Sequence, residues 1–284
     1  MASQLVPLPE VERLSKTCIR ILGGNPGKFT LQGTNTYLLG TGEKRLLIDT
    51  AQGMPSWKLA VQKVLEEEKA TIQACLITHW HGDHTTGILD LQSFSPATAI
   101  YKAEPGGEQE EITDGQRFSV EGATLTAIHS PGHTTDHMAF LLDEEDAMLT
   151  GDNVLGQGTA VFEDLFTYLD SLDKMGSLFR GRAYPGHGPV IADGPAKIAE
   201  YRAHRKQRED QVFNTLQGEN VGGEGKGGGW SSMDLVKVIY SDVRKDLHEA
   251  AERGVLQILH KLEKDGKVSR SPGGLWVPTG RSSL

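Results

Sequence analysis

Only two cysteines occur among 284 residues, Cys18 and Cys75, too few for a disulfide framework, so a reducing compartment such as the cytoplasm is the expected setting. Each stands beside an apolar residue, as small core cysteines do. No apolar run approaches the roughly 20 residues that cross a bilayer, so no membrane span is expected. Met1 to Lys16 lacks the charged-then-apolar order of a secretory leader, so no export signal is expected either. An excess of positive charge is also missing, since 38 acids against 29 bases leave a formal charge of −9. Nucleic acids are held mainly through Lys and Arg on their phosphates, and nucleic acid is therefore not the expected partner. Neither a solenoid repeat nor a collagen-like Gly period is present. What the chain does have is 37% hydrophobic residues, enough for a packed core and too many for general disorder.

Short apolar runs ending in polar residues, Leu46–Asp49 and Ala74–Thr78, predict buried strands, with a helix over Ser56–Glu68 between them. Further strands are predicted at Ala99–Lys102, Thr124–His129, Met138–Leu142, Ala147–Thr150 and Ala183–Pro185, and helices at Phe166–Leu178 and Pro195–Leu216. Strands with interspersed helices indicate a layered α/β or α+β body. Gly218–Gly229 is too rich in glycine for regular structure and reads as a linker. The organisation expected is a main body over 1–217, a linker over 218–229 and a small module over 230–284. In that module Ala251, Val255, Leu256, Leu259 and Leu262 form one apolar helical face, and Lys267–Val277 reads as a two-stranded wing.

The chemistry concentrates in Thr78-His79-Trp80-His81-Gly82-Asp83-His84, directly after a predicted buried strand. Three imidazoles and a carboxylate within six residues are hard to satisfy in a core, because each buried imidazole needs partners. On a tight turn they can converge on one point, and imidazole with carboxylate suits zinc, iron or manganese. Three more donors follow strand ends: His133 after Pro131-Gly132, Asp152 after Thr150-Gly151, and His187 after Pro185-Gly186. Seven donors at one sheet edge suffice for two metal ions with positions left for water and substrate. A divalent ion makes water nucleophilic at neutral pH, so the chemistry expected is hydrolysis. No Ser-His-Asp signature is apparent.

This pattern, HxHxDH followed by His, Asp and His, resembles the metallo-β-lactamase superfamily over about residues 18–217. The resemblance implies an αββα sandwich, in the α+β class, with the site at one edge of the sheets and a winged-helix-like C-terminal module. It implies that His79, His81 and His133 hold one ion, that Asp83, His84 and His187 hold a second, and that Asp152 bridges them. Asp83 is then also the catalytic residue that orients the nucleophile. True β-lactamases commonly carry Cys at the bridging place, so antibiotic hydrolysis is disfavoured.

Narrower stretches are similar to lactamase-like thioesterases of fungal polyketide pathways: Asn25–Tyr37, Glu145–Met148, Asp152–Leu165 and His248–Ala251 with Gly254-Val255. Members of that group release an aromatic polyketide acid, of the atrochrysone carboxylic acid type, from the acyl carrier protein of a non-reducing synthase. The resemblance thus implies two divalent ions per chain, zinc foremost with manganese or iron also suited, and an acyl carrier protein as partner. Asn35, Asn153 and His248 are candidate substrate contacts. Arg202, Arg205, Lys206 and Arg208 on the long helix are candidate docking cations for an acidic carrier. Two alternatives share the donors: an endoribonuclease, which needs a cationic track, and a glyoxalase-II-like thioesterase, which needs a basic glutathione clamp.

Overall fold

The computed structural model describes residues 5–218, 229–241, 244–245 and 248–279. The chain divides into two compact units, Met1–Ala199 and Glu200–Leu284. The expected linker falls almost wholly on 219–228, outside the described residues.

In the first unit the chain runs β1 (Val11–Arg13), β2 (Cys18–Leu22), β3 (Asn35–Leu39), β4 (Lys44–Ile48), α1 (Pro55–Glu68), β5 (Thr71–Leu76), α2 (Gly82–Thr85), α3 (Ile88–Phe94), β6 (Ala99–Lys102) and β7 (Glu110–Glu111). Then come β8 (Arg117–Val120), β9 (Ala123–His129), β10 (Met138–Leu142), β11 (Ala147–Gly151), α4 (Leu165–Leu178), β12 (Ala183–Pro185) and the long α5 (Gly194–Gln217), which continues into the second unit. Strands β1 to β7 form one sheet in sequence order, antiparallel up to β4 and parallel thereafter. The other sheet has the order β12-β11-β10-β9-β8, parallel only between β11 and β12.

Side-chain alternation explains the layers. Leu46, Ile48, Ala74 and Leu76 face inward, joining Leu125, Ala127, Phe140 and Leu149 in a core between the two sheets. Their neighbours Leu47, Cys75 and Ile77 face the other way and pack with Trp57, Val61, Val64 and Leu91 of α1 and α3. Both faces of β4 and β5 are therefore buried, which is why their sequences read as continuous apolar runs. Cys18 and Cys75 are buried free thiols. Helix α4 starts at Asp164, whose carboxylate accepts the Thr167 N–H at 2.8 Å. It is tied to the loops after β9 and β11, where Ser171 donates to Pro131 O and Tyr168 to Asn153 O.

The predicted strands at Ala99–Lys102, Met138–Leu142 and Ala183–Pro185 recur with the same bounds, and the helices shift by a residue at an end. Strands β2 and β3 carry no prediction from the sequence; their polar Arg20, Asn35 and Thr36 interrupt the apolar signal yet are buried. The strand expected over Ala74–Thr78 starts earlier and stops at Leu76. Beyond it Thr78 leaves the ladder, its N–H donating to the Asp49 carboxylate at 2.8 Å.

The second unit contains α6 (Ser232–Ile239), α7 (His248–Lys264) and the antiparallel pair β13 (Val268–Arg270) and β14 (Trp276–Pro278). Ser231 caps α6 by accepting the Asp234 N–H. Val255, Leu259 and Leu262 are buried as the periodicity predicts, and Gly266 turns the chain with φ of 70°. Glu209, buried on α5, takes Lys261 at 2.7 Å and Lys267 at 3.3 Å. No helix among the described residues is long and apolar enough to cross a membrane.

Candidate metal centre

The seven donors lie on loops that leave strand ends at one edge of the two sheets. His79 and His81 come from the turn between β5 and α2, Asp83 and His84 from the short α2 itself, His133 from the loop after β9, Asp152 from just past β11 and His187 from just past β12. Three groups bring their ligating atoms within 4.8 Å of one another: His79, His81 and His133; Asp83, His84 and His187; and His79, His84 and Asp152. The first group has His81 Nδ1 2.9 Å from His79 Nε2 and 3.0 Å from His133 Nε2. In the second, His187 Nε2 lies 3.2 Å from Asp83 Oδ2 and 3.4 Å from His84 Nε2. Asp152 reaches both: Oδ1 is 3.5 Å from His84 Nε2, and Oδ2 is 3.7 Å from His133 and 3.3 Å from His187.

The partners on the other side of each ring fix which nitrogen faces the cluster. His84 Nδ1 donates to Asp49 Oδ2 at 2.7 Å, and His133 Nδ1 donates to Val161 O at 2.7 Å. Thr78 Oγ1 donates to Asp49 Oδ2 at 2.9 Å and so accepts from His79 Nδ1, also at 2.9 Å. In all three the Nε2 lone pair is left for a ligand, the arrangement by which outer partners orient metal-binding imidazoles. Asp49 achieves this from a left-handed backbone, φ 59°, just past the end of β4.

Charge and burial at the cluster ask for a cation. Burial drives His79 well below its usual range, and neighbouring His84 adds to the effect, so its ring stays neutral. For His187 burial works against the charged form, but Asp152 and Asp83 outweigh it and push it up to about 10. Burial would raise Asp152, yet His187 and His84 hold it well below the carboxylate range. Its Oδ1 is buried without a hydrogen-bond partner. Ligands around a tetrahedral zinc with bonds of about 2.0–2.1 Å stand roughly 3.3 Å apart, close to the separations observed. The residues present fit divalent metal ions. Gly186 makes the approach possible, because a Cβ there would lie 2.2 Å from Asp152 Oδ1.

A cavity of about 520 Å³ opens on the cluster, with His81, Asp83, His133, Asp152 and His187 on one side and an apolar wall on the other. The expected substrate contacts Asn35 and Asn153 do not line it. Both are buried: Asn35 donates to Pro185 O and Gly188 O, and Asn153 to Ser130 O, so they brace the loops that carry His187 and His133. Their amide N–H groups are taken up by backbone carbonyls, while both Oδ1 atoms are buried without a hydrogen-bond partner. His248 lies in the second unit, lining a separate cavity with Met233, Lys237 and Glu249. Two residues escaped the sequence reading. Asp49 stood in view as the polar end of the Leu46–Asp49 run. His137, four residues after His133, is fully buried; its Nε2 accepts the Asp152 N–H at 3.1 Å and its Nδ1 pairs with Ser130 Oγ at 2.9 Å.

Residues 29–187 match the sequence profile of the Metallo-beta-lactamase superfamily, and residues 231–276 that of the Beta-lactamase associated winged helix domain. The Lactamase-like protein aptB of Emericella nidulans is 48% identical over 94% of this chain and 87% of its own length. An Aspergillus chevalieri protein named Atrochrysone carboxyl ACP thioesterase is 47% identical, with the same 94% and 87% coverage. Among solved structures, a Beta-lactamase domain protein from Burkholderia ambifaria superposes with a TM-score of 0.77 at 15% identity, over 98% of this chain and 96% of that one. A metallo-beta-lactamase family protein from Thermus thermophilus gives 0.70 at 22% identity, over 94% and 100%. By sequence profile, by these relatives and by fold, the chain belongs to the metallo-β-lactamase superfamily.

Proposed function

We infer that the protein is a dinuclear metal-dependent thioesterase that cleaves an aromatic polyketide from an acyl carrier protein, releasing the carboxylic acid. The observation that carries this reading is the pair of donor triads joined by Asp152 at the mouth of an apolar cavity, in a chain so similar to a protein named as such a thioesterase. His79, His81 and His133 would hold one ion, Asp83, His84 and His187 the other, and Asp152 would serve both. Zinc suits this set best, and manganese or iron also suits mixed imidazole and carboxylate shells. When bound, the ions supply Lewis acidity, which polarises the acyl carbonyl and makes water nucleophilic at neutral pH.

Asp83 lines the cavity, and although burial would raise its carboxyl, the hydrogen bond from His187 and the charge of His84 bring it below the usual range. It is therefore ionised and placed to orient the attacking water and take its proton. The water oxygen bonds to the acyl carbon, the carbon–sulfur bond breaks, and the sulfur leaves as a thiolate that needs no separate acid. Lys28 is the one Lys or Arg lining the cavity among the described residues, too little cationic track for an RNA backbone. The same scarcity argues against a basic glutathione clamp.

The partner is an acyl carrier protein, and the setting is the cytoplasm, in keeping with two buried free thiols. Of the cations considered for docking on α5, Lys206 pairs with Asp210 and Arg208 lies 5.5 Å from the Tyr240 ring, so that face is partly neutralised within its own unit. The test is a parallel assay of metal-loaded and chelator-stripped protein on an acyl-carrier thioester, a glutathione thioester and single-stranded RNA. Metal-dependent release from the carrier alone is the expected result. RNA cleavage without thioester turnover would overturn the reading.

A further inference from the structure

The wall of the cavity opposite the ligands has its own chemistry. It is built by Phe29 and Leu31, between β2 and β3, and by Leu155, Val161 and Phe162, between β11 and α4. Phe29 is 72% exposed and Val161 64% exposed. Burying such side chains is favourable, so apolar groups left open together beside a reactive cluster mark a surface that a ligand covers.

Part of this wall is rigid and tied to the metal ligands. Phe162 stacks on Tyr168 with ring centroids 5.2 Å apart and planes 19° from parallel. The Tyr168 hydroxyl donates to Asn153 O, next to Asp152, at 2.7 Å. Val161 O receives the His133 Nδ1–H, so the segment that forms the wall also orients a ligand imidazole. A group packed here is held in a fixed relation to the cluster, as an acyl chain must be when its carbonyl is to react.

Lys28 adds charge to one end. Its ammonium lies 5.4 Å from the Phe29 ring centroid, and it forms no ion pair among the described residues. Away from the donor cluster, Lys28 is the one Lys or Arg lining the cavity among the described residues and Glu163 the one acid, so on the wall itself an anionic oxygen is best placed beside Lys28. The occupant that fits is flat and aromatic in its body, with an acidic oxygen where it meets Lys28.

Building on the thioesterase reading, we propose that this wall is the acyl-binding site and that it selects planar aromatic acyl groups bearing an acidic phenolic or enolic oxygen. Phe29 and Phe162 take the ring faces, and Lys28 donates to that oxygen. Lys28 and Phe29 are then specificity-determining residues, outside the set that holds metal.

The test compares wild type, Lys28→Ala and Phe29→Ala on hydroxynaphthoyl, naphthoyl and octanoyl thioesters of N-acetylcysteamine. Both positions are exposed, so folding is spared. Lys28→Ala should lower kcat/KM for the hydroxynaphthoyl substrate about tenfold, through KM, as for loss of one hydrogen bond to a charged group, and lower the naphthoyl value far less. Phe29→Ala should lower both aromatic substrates relative to the octanoyl one. Equal losses on all three, or none, overturn the proposal. A Lys28 effect seen only when a phosphopantetheine arm replaces N-acetylcysteamine also overturns it, since the anion would then be the arm's phosphate. Calorimetric binding of the non-hydrolysable hydroxynaphthoyl and naphthoyl amides reads the wall without turnover. If wild type cleaves no thioester yet prefers the hydroxylated amide in a Lys28-dependent way, the thioesterase reading fails and the site stands; if it shows no preference, the site fails.

Discussion

Substituting Gly186 by Ala tests the shared carboxylate without removing any donor. The added Cβ would sit 2.2 Å from Asp152 Oδ1, with Gly151 C and His84 Cε1 each at 3.1 Å. Ordinary contact needs roughly 3.4 Å, so Asp152 Oδ1 must retreat by about 1 Å, most simply by rotating its side chain. That rotation is cheap for folding, because a carboxylate end moves more easily than backbone, and overpacking of this kind costs about 1–3 kcal/mol at most. It is not cheap for the centre. Ligand distances are confined to about 0.2 Å, and a misplacement of about 1 Å at a reacting site costs on the order of a hundredfold in rate. G186A should therefore melt within a few degrees of wild type while binding less than its full complement of metal and losing about a hundredfold or more in thioester hydrolysis. The assay is elemental analysis after gel filtration, beside turnover and thermal melting. A variant holding the full metal content at wild-type rate would refute the shared role of Asp152 and the steric reasoning together. D152A, which leaves room but no donor, should lose metal to a similar degree.

His137→Leu removes the acceptor of the Asp152 N–H, and it should weaken metal binding about 10–100-fold, as loss of an outer partner does, with chelator competition as the measurement; Gln, which keeps an acceptor, should restore part of it. Trp57 is fully buried and donates to Thr36 Oγ1 at 2.9 Å, so Trp57→Ala should cost about 3–5 kcal/mol in denaturant unfolding, and a loss below about 1 kcal/mol would contradict the packing described. Burial would raise the Glu145 carboxyl, but hydrogen bonds from Ser15, Thr17 and Tyr184 outweigh it and hold it below the usual range. Its folded form is thus more acidic than its unfolded form, near about 4.3, so Glu145 stabilises the protein above that pH and the benefit fades as pH falls through the folded value. The stability difference between wild type and Glu145→Gln, followed by melting from about pH 7 down to about pH 3, should therefore shrink on the acid side; a difference that grows there would reverse the sign.

Several elements were legible because their signals are local. Helical spacing marked α1 and α7, and apolar runs marked β4, β10 and β12, since strands buried on both faces need no polar alternation. Strands β2 and β3 escaped because Arg20, Asn35 and Thr36 look exposed in sequence and are buried by partners far away, as where Asn35 meets Pro185 and Gly188. The same distance hides the backbone carbonyls that the Asn35 and Asn153 N–H groups meet, where the sequence suggested substrate contacts.

The donor types and their places after strand ends are written in the chain, because metal chemistry restricts which side chains serve and because glycine beside them is a local feature. Tertiary packing alone brings those donors together, since residues more than a hundred positions apart, His84 and His187, meet at 3.4 Å only when the two sheets stack. It also settled which nitrogen His84, His79 and His133 present, through Asp49, Thr78 and Val161, and which loops face the cluster with an aromatic wall. Orientation of this kind depends on hydrogen bonds between segments remote in sequence, and one-dimensional spacing does not encode them.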